Sequence, residues 1–182
     1  MFKAITAAVT LALPLSALSG CAGIIPRAAT EPVAIAELRG ADGEARGTAE
    51  IGRDGGGLLV TVKLTGMAPG RIHGAHLHTT GLCEAPGFTS AGVHLNPVGR
   101  QHGKDNPAGS HLGDLPNLTI GADGSGVFTA RVPGDPDILL AQLLDADGAA
   151  LVIHADADDY RTDPSGNSGT RIACGVLNRS SG

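Results

Sequence analysis

Three histidines and an aspartate sit in a stretch that no regular helix or strand can hold. From Cys83 to Asp114 the chain reads CEAPGFTSAGVHLNPVGRQHGKDNPAGSHLGD. It is dense in Gly, Pro, Ser and Asn, the residues that punctuate regular structure. It carries His94, His102, His111 and Asp114, spaced eight, nine and three residues apart. A loop of about thirty residues cannot order itself by its own packing, and such loops are usually functional or disordered. The four side chains converge only if the loop folds back on a common centre. A divalent cation is such a centre, because coordinate bonds replace the missing core. Three nitrogens and one oxygen suit tetrahedral zinc. From this stretch alone, a solvated loop with incidental histidines is the competing reading.

A second constellation lies upstream. In His76-Leu77-His78, strand alternation puts both imidazoles on one face and Ala75 and Leu77 on the other. The pair is expected to chelate while pointing out of an apolar core. His73 has the opposite parity and reads as a core or barrel-end histidine with structural hydrogen bonds. His154 closes the apolar run Leu151-Val152-Ile153, so its ring lies at a strand end. Six of the seven histidines then fall into two clusters, too ordered for a solvated scatter.

The elements that must position these groups are short. The chain of 182 residues holds 28 Gly and 11 Pro, with three Phe, one Tyr and no Trp. The core is therefore built from Val, Ile, Leu and Ala, and the chain is a turn-rich series of strands rather than a helical bundle. Strands are expected at Val33–Leu38, Thr48–Ile51, Leu58–Leu64 and Ile72–His78. Others are expected at Leu118–Ile120, Gly126–Val132, Leu151–His154 and Arg171–Leu177. Asp54-Gly55 and Asp123-Gly124 carry the strongest short hairpin signal. Ile138–Leu144 fits a strand or a short helix equally well. A second polar loop spans Ala155–Thr170. This spacing predicts one all-β antiparallel sandwich or barrel. The net charge is −5 and no basic stripe exists, which argues against a nucleic-acid partner.

The N-terminus reads as a leader. Lys3 supplies the positive charge, and Ala4–Leu18 is apolar or small. The segment is too short and weakly flanked for a membrane span. It ends Leu18-Ser19-Gly20-Cys21, which resembles the lipobox of a bacterial lipoprotein. By that resemblance Cys21 is the lipidated first residue of the mature chain; ordinary cleavage nearby, giving a soluble secreted protein, is the alternative. Loss of Lys3 leaves 12 basic and 18 acidic residues, a net charge of −6. Residues 1–20 are then leader, 21–32 a tether and 33–182 the domain. If Cys21 takes lipid, Cys83 and Cys174 remain. An oxidising compartment would join them, closing a loop worth roughly 4–5 kcal/mol in the chain-entropy model. Two free buried thiols are the other possibility. Asn117-Leu118-Thr119 fits a glycosylation acceptor pattern, which carries no meaning behind a bacterial leader.

Four segments together resemble Cu/Zn superoxide dismutases of the bacterial periplasmic type. They are Gly74-Ala75-His76-Leu77-His78, Ser90-Ala91-Gly92-Val93-His94-Leu95-Asn96-Pro97, His111-Leu112-Gly113-Asp114-Leu115-Pro116 and Gly169-Thr170-Arg171-Ile172-Ala173-Cys174-Gly175-Val176. The likeness runs from about Val33 to Leu177, and Cys83, five residues after His78, places it with the bacterial branch. It implies an eight-stranded antiparallel Greek-key sandwich or flattened barrel with long metal-binding loops. It implies copper, cycling between Cu(I) and Cu(II), on His76, His78, His94 and His154. Zinc falls to His94, His102, His111 and Asp114, so His94 bridges the two ions. Cys83 and Cys174 match the family's disulfide. Arg171 matches the arginine that guides the anion, and Asp158 the carboxylate linking a copper-side histidine to a zinc-side one. Ala75 and Leu95 replace aromatics common in the family, which bears on packing rather than ligation.

The reaction so implied is dismutation of superoxide to oxygen and hydrogen peroxide in the bacterial periplasm, by an enzyme lipid-anchored to a membrane, as a monomer or homodimer. The competing reading is a periplasmic lipoprotein that binds or stores copper and zinc without turnover. A structural lipoprotein with a vestigial site is a third. The full ligand set together with Arg171 and Asp158 argues against both.

Overall fold

A computed structural model describes residue 1 and residues 31–181. The expected leader, Cys21 and most of the tether lie outside the described residues. Strands β1 (Ala34–Gly40), β2 (Ala45–Asp54) and β3 (Gly57–Leu64) form an antiparallel meander. In β1, Ala34, Ala36 and Leu38 are buried while Ile35, Glu37 and Arg39 face out. That alternation is what a strand with one face on a core requires. Next come β4 (Ile72–His73), β5 (Ala75–His78), β6 (Leu118–Thr119) and β7 (Gly126–Pro133). Then follow β8 (Ala150–His154), β9 (Arg171–Val176) and β10 (Asn178–Arg179).

The main sheet has eight strands, in the order β5-β8-β9-β1-β2-β3-β7, with β10 pairing β1 beside that path. Every pairing in it is antiparallel. The sheet curls around one core of aliphatic side chains that includes Leu38, Ile51, Val60, Leu77, Leu151 and Ile153. A smaller cluster of Phe88, Ala91, Ala150, Val152 and Cys174, with Cys83 against it, lies apart from that core. So β8 is buried along all five residues: Leu151 and Ile153 belong to the main core, Ala150 and Val152 to the smaller one. Ala75 and Leu95 pack into the main core at 0% and 7% exposure.

Two expected elements come out differently. The run Ile72–His78 is not one strand. It breaks at Gly74 into β4, which pairs β6, and β5, which pairs β8. Gly74 faces the 155–170 loop, where its N–H donates to the Asp156 carbonyl and its carbonyl accepts from His154 N. A β-carbon there would stand 3.0 Å from the Ser168 side chain. The Asp123-Gly124 turn forms, with Gly124 N donating to Gly121 O, yet it joins no hairpin. Its flanks β6 and β7 pair β4 and β3, so it is a corner between sheets. The ambiguous run is helix α1 (Pro136–Leu143). Asp135 caps it by accepting from the N–H groups of Asp137 and Ile138, and Pro136 sits in its first turn, where no N–H is needed.

Candidate metal centre

β5 is an edge strand of the main sheet, and the long loop covers its free edge. Leu77 N donates to Gly113 O at 2.9 Å, and Leu95 N donates to Leu77 O at 2.8 Å. Isolated bridges pair His76 with Asp114 and His78 with His94. The loop is thus ordered by strand-like bonds to β5, which pairing alone brings His94 and Asp114 beside His76 and His78. Gly113 is needed for the approach, because a β-carbon there would stand 2.3 Å from the Leu77 carbonyl oxygen. The cover also changes the setting of the histidine pair. His76 and His78 do not point out to solvent; both are at 0% exposure.

His76, His78, His94 and His154 form one group whose ligand atoms all lie within 4.8 Å of one another. Neighbouring acceptors fix the tautomers of three. His78 Nδ1 donates to Gly92 O at 3.0 Å, His154 Nδ1 to Gly169 O at 3.2 Å, and His76 Nε2 to Asp158 Oδ2 at 2.7 Å. Carbonyl and carboxylate oxygens only accept, so these nitrogens carry the protons. The lone pairs are left on His78 Nε2, His154 Nε2 and His76 Nδ1. These three atoms and His94 Nε2 are buried with no hydrogen-bond partner among the described residues. Buried polar atoms are rarely left so. Burial lowers the pKa of His78 to about 2, of His154 to about 3 and of His94 to about 4, and the other imidazoles nearby push the same way. All three rings are neutral near pH 7, the state in which imidazole is a ligand.

The second set gathers on one carboxylate. His94 Nδ1 and His102 Nδ1 each lie 3.0 Å from Asp114 Oδ1, and His111 Nδ1 lies 3.3 Å from it. His111 Nδ1 is also 3.4 Å from His94 Nδ1. The group whose ligand atoms all lie within 4.8 Å of one another here is His76, His94, His102 and Asp114, with His111 outside it and His76 inside; the His76 ring stacks on His94 with centroids 3.9 Å apart. The two expected clusters are therefore one continuous patch with His94 in its middle. Asp114 Oδ2 accepts from Gly103 N and His111 N, which fixes the carboxylate. Asp158 joins the halves: one oxygen accepts from His76 Nε2 and the other from His102 Nε2 at 3.0 Å. For His102, burial is outweighed by Asp114 and Asp158, which raise its pKa to about 9. Burial likewise opposes ionisation of both aspartates. The hydrogen bonds from His102 and its partners win, and hold Asp114 and Asp158 below the usual carboxylate range.

Arg171 stands at the rim. A bulge between Ile153 and His154 sets Arg171 opposite His154 in the β8–β9 ladder, with Ile172 as the extra residue. Bulges re-aim side chains in this way. Its guanidinium donates to Phe88 O at 2.6 Å and Gly92 O at 2.7 Å. Gly92 O is the same oxygen that fixes His78. Cys83 and Cys174 are disulfide-bonded, with 5.6 Å between α-carbons, which ties the segment carrying Phe88 and Gly92 to the strand carrying Arg171. His73 is buried and apart from the donor groups, as its parity predicts, and its Nδ1 donates to the His154 carbonyl at 2.7 Å. Sequence reading gave no role to Asn117, Tyr160 or Asp163. Asp163 Oδ1 accepts from His102 N at 2.6 Å. Asn117 and Tyr160 hold Asp158. The Asp163 and Asn117 contacts join segments 61 and 41 residues apart, which no spacing signals, and the bond from Tyr160 N to Asp158 is a local turn contact two residues long.

The sequence matches the family model described as copper/zinc superoxide dismutase (SODC) over residues 43–177. It is 44% identical over 147 residues to the superoxide dismutase-like protein YojM of Bacillus subtilis, covering 78% of this chain and 74% of that one. It is 42% identical over 148 residues to superoxide dismutase [Cu-Zn] 2 of Aquifex aeolicus, covering 78% and 84%. A crystal structure of a SOD-like protein from Bacillus subtilis superposes with a TM-score of 0.74 at 42% identity, over 79% of this chain and 97% of that one. With the donor geometry, the sheet order and these likenesses in agreement, the chain belongs to the copper/zinc superoxide dismutase family.

Proposed function

We propose that the protein dismutes superoxide, turning two superoxide ions and two protons into O2 and H2O2. His76, His78, His94 and His154 would hold copper, and His94, His102, His111 and Asp114 would hold zinc. The observation that carries this reading is the quartet of buried, partnerless imidazole nitrogens on His76, His78, His94 and His154, converging beside a carboxylate-centred set that shares His94. Four imidazoles are a donor set that favours copper, and three imidazoles with one carboxylate suit zinc. When bound, copper supplies a one-electron couple and zinc supplies fixed positive charge.

The chain's own residues do the rest. Arg171, anchored through two carbonyls, offers its charge to a small anion at the rim. His94 is the ring through which the two sets communicate, and its Nε2, whose lone pair has no hydrogen-bond partner, is the atom placed to take up a solvent proton whenever it is not ligating and to give that proton to the reduced substrate. Asp158 keeps His76 and His102 in the tautomers that ligation needs. A mature domain with net charge −6 repels an anion in bulk, so attraction has to come from the site itself.

The domain is 33–182, carried into the periplasm by the leader 1–20 and tethered through residues 21–32 to a lipid on Cys21. The test is to load the purified domain with copper and zinc, measure both metals, and assay superoxide removal. Copper-plus-zinc protein should be active and zinc-only protein inactive. Stoichiometric copper and zinc without turnover would overturn the enzyme reading in favour of metal storage.

A further inference from the structure

The chain's one tyrosine and the asparagine of its Asn117-Leu118-Thr119 pattern meet behind Asp158. Asn117 Nδ2 donates to the Asp158 carbonyl at 2.9 Å, and Asp158 N donates back to Asn117 Oδ1 at 2.8 Å. This two-way amide bond fixes the Asp158 backbone. Tyr160 N donates to Asp158 Oδ1 at 2.6 Å, which fixes the carboxylate. The Tyr160 hydroxyl then closes the circuit by accepting from Asn117 N at 2.7 Å. The same residue grips the metal-binding loop. Its carbonyl accepts from Asp105 N at 3.0 Å, and Lys104 Nζ lies 4.1 Å from its ring centroid. Tyr160 reaches all these partners from a left-handed backbone, φ 62°. Non-glycine residues rarely sit there without a reason in the surrounding structure. Two glycines give the clasp its room. A β-carbon on Gly103 would stand 2.0 Å from Tyr160 O, and one on Gly166 would stand 2.0 Å from Asp158 Oδ1.

Asp158 is the only side chain among the described residues that hydrogen-bonds to both His76 and His102. A small displacement of it is therefore felt at both ends of the donor patch. We propose that Asn117 and Tyr160 are positioning residues: their clasp sets Asp158, and through Asp158 sets the affinity of both metal sites together. The proposal rests on the ligand assignment above and adds to it that residues touching neither ion govern both. Removal of groups that orient metal ligands commonly weakens metal binding about 10- to 100-fold.

The experiment uses the mature domain and the metals alone. Zinc affinity is measured by chelator competition and the copper site by the visible absorption of the cupric protein, in Asn117→Ala, Asp158→Ala and the double variant. Asn117→Ala is expected to weaken zinc binding about tenfold and to shift the cupric band. In the Asp158→Ala background it should change neither, because its effect passes through that carboxylate. Tyr160→Phe keeps the ring and the Asn117–Asp158 bonds but loses the hydroxyl. It should weaken zinc binding about threefold, in the same direction. It serves if Asn117→Ala does not fold. The proposal is overturned if the Asn117 and Asp158 effects multiply, or if Asp158→Ala alters both sites while Asn117→Ala and Tyr160→Phe alter neither. Asp158→Ala that binds both metals unchanged would remove the clasp and, with it, the role given to Asp158. Failure of copper or zinc to bind the unsubstituted protein would instead sink the ligand assignment on which the clasp depends.

Discussion

His94 lies within reach of two donor groups, its Nε2 among the other imidazoles and its Nδ1 on Asp114. His76 shares both groups with it, but holds Asp158 rather than Asp114 through its second nitrogen. Arg171 matters differently. It touches no donor atom, yet it shares the Gly92 carbonyl with His78 and faces His154 across the ladder. Burial lowers its pKa from the ordinary arginine value, but from so high a starting point that it stays charged. Arg171→Ala should lower kcat/KM about tenfold and flatten its dependence on ionic strength, with metal content intact, since a rim charge acts mainly on association. Unchanged kinetics across several salt concentrations would take Arg171 out of the mechanism. The seven ligand candidates could be named from the sequence because they stand in recognisable segments, six histidines in two clusters and Asp114 three residues after His111. Asn117, Tyr160 and Asp163 were not, because they hold the Asp158 backbone, the Asp158 carboxylate and the His102 backbone through an arrangement that only the folded loops reveal.

At the scale of elements, the site depends on how β5, β8 and β9 are dressed. The strands themselves follow from alternation and turn chemistry, and most were read within a few residues. What alternation could not show was Gly74 splitting Ile72–His78, or Asp123-Gly124 serving as a corner. Both outcomes depend on which strand lies next door, and a local pattern does not contain that. Nor could it show that the long loop would bond to the edge of β5 and bury a histidine pair expected to face out. The disulfide fastens this dressing. It closes 91 residues of sequence, and in the chain-entropy model its loss costs roughly 4–5 kcal/mol. The pair of substitutions Cys83→Ser and Cys174→Ser should therefore lower Tm strongly. It should also reduce activity more than copper content, because it frees the segment holding Arg171, while three of the four copper-side histidines, His76, His78 and His154, stay on strands and His94 stays paired to β5 through the neighbouring Leu95–Leu77 bond. Copper loss in proportion to activity would contradict that division.

At the scale of the molecule, an aliphatic barrel carries a buried polar patch, and that patch sets its response to pH. In the folded, metal-free protein His78, His154 and His94 titrate near 2, 3 and 4, against about 6.5 in the unfolded chain. Below about pH 6.5 the unfolded state then binds more protons, and stability falls as pH falls. His102 has the opposite sign. Its pKa of about 9 gives stability that is complete below about pH 6.5 and is lost as pH rises through 9. The Tm of chelator-treated protein should peak near neutrality and fall more steeply on the acid side. A Tm that climbs steadily from pH 7 to pH 5 would contradict these assignments. The most direct test of the whole account is diffraction from crystals of protein loaded with both metals, with anomalous data collected at the copper and zinc edges. The account predicts one copper among His76, His78, His94 and His154, one zinc among His94, His102, His111 and Asp114, and His94 bonded to at least one ion and lying between the two. Two ions with His94 bonded to neither, or turned away from His154, would contradict it.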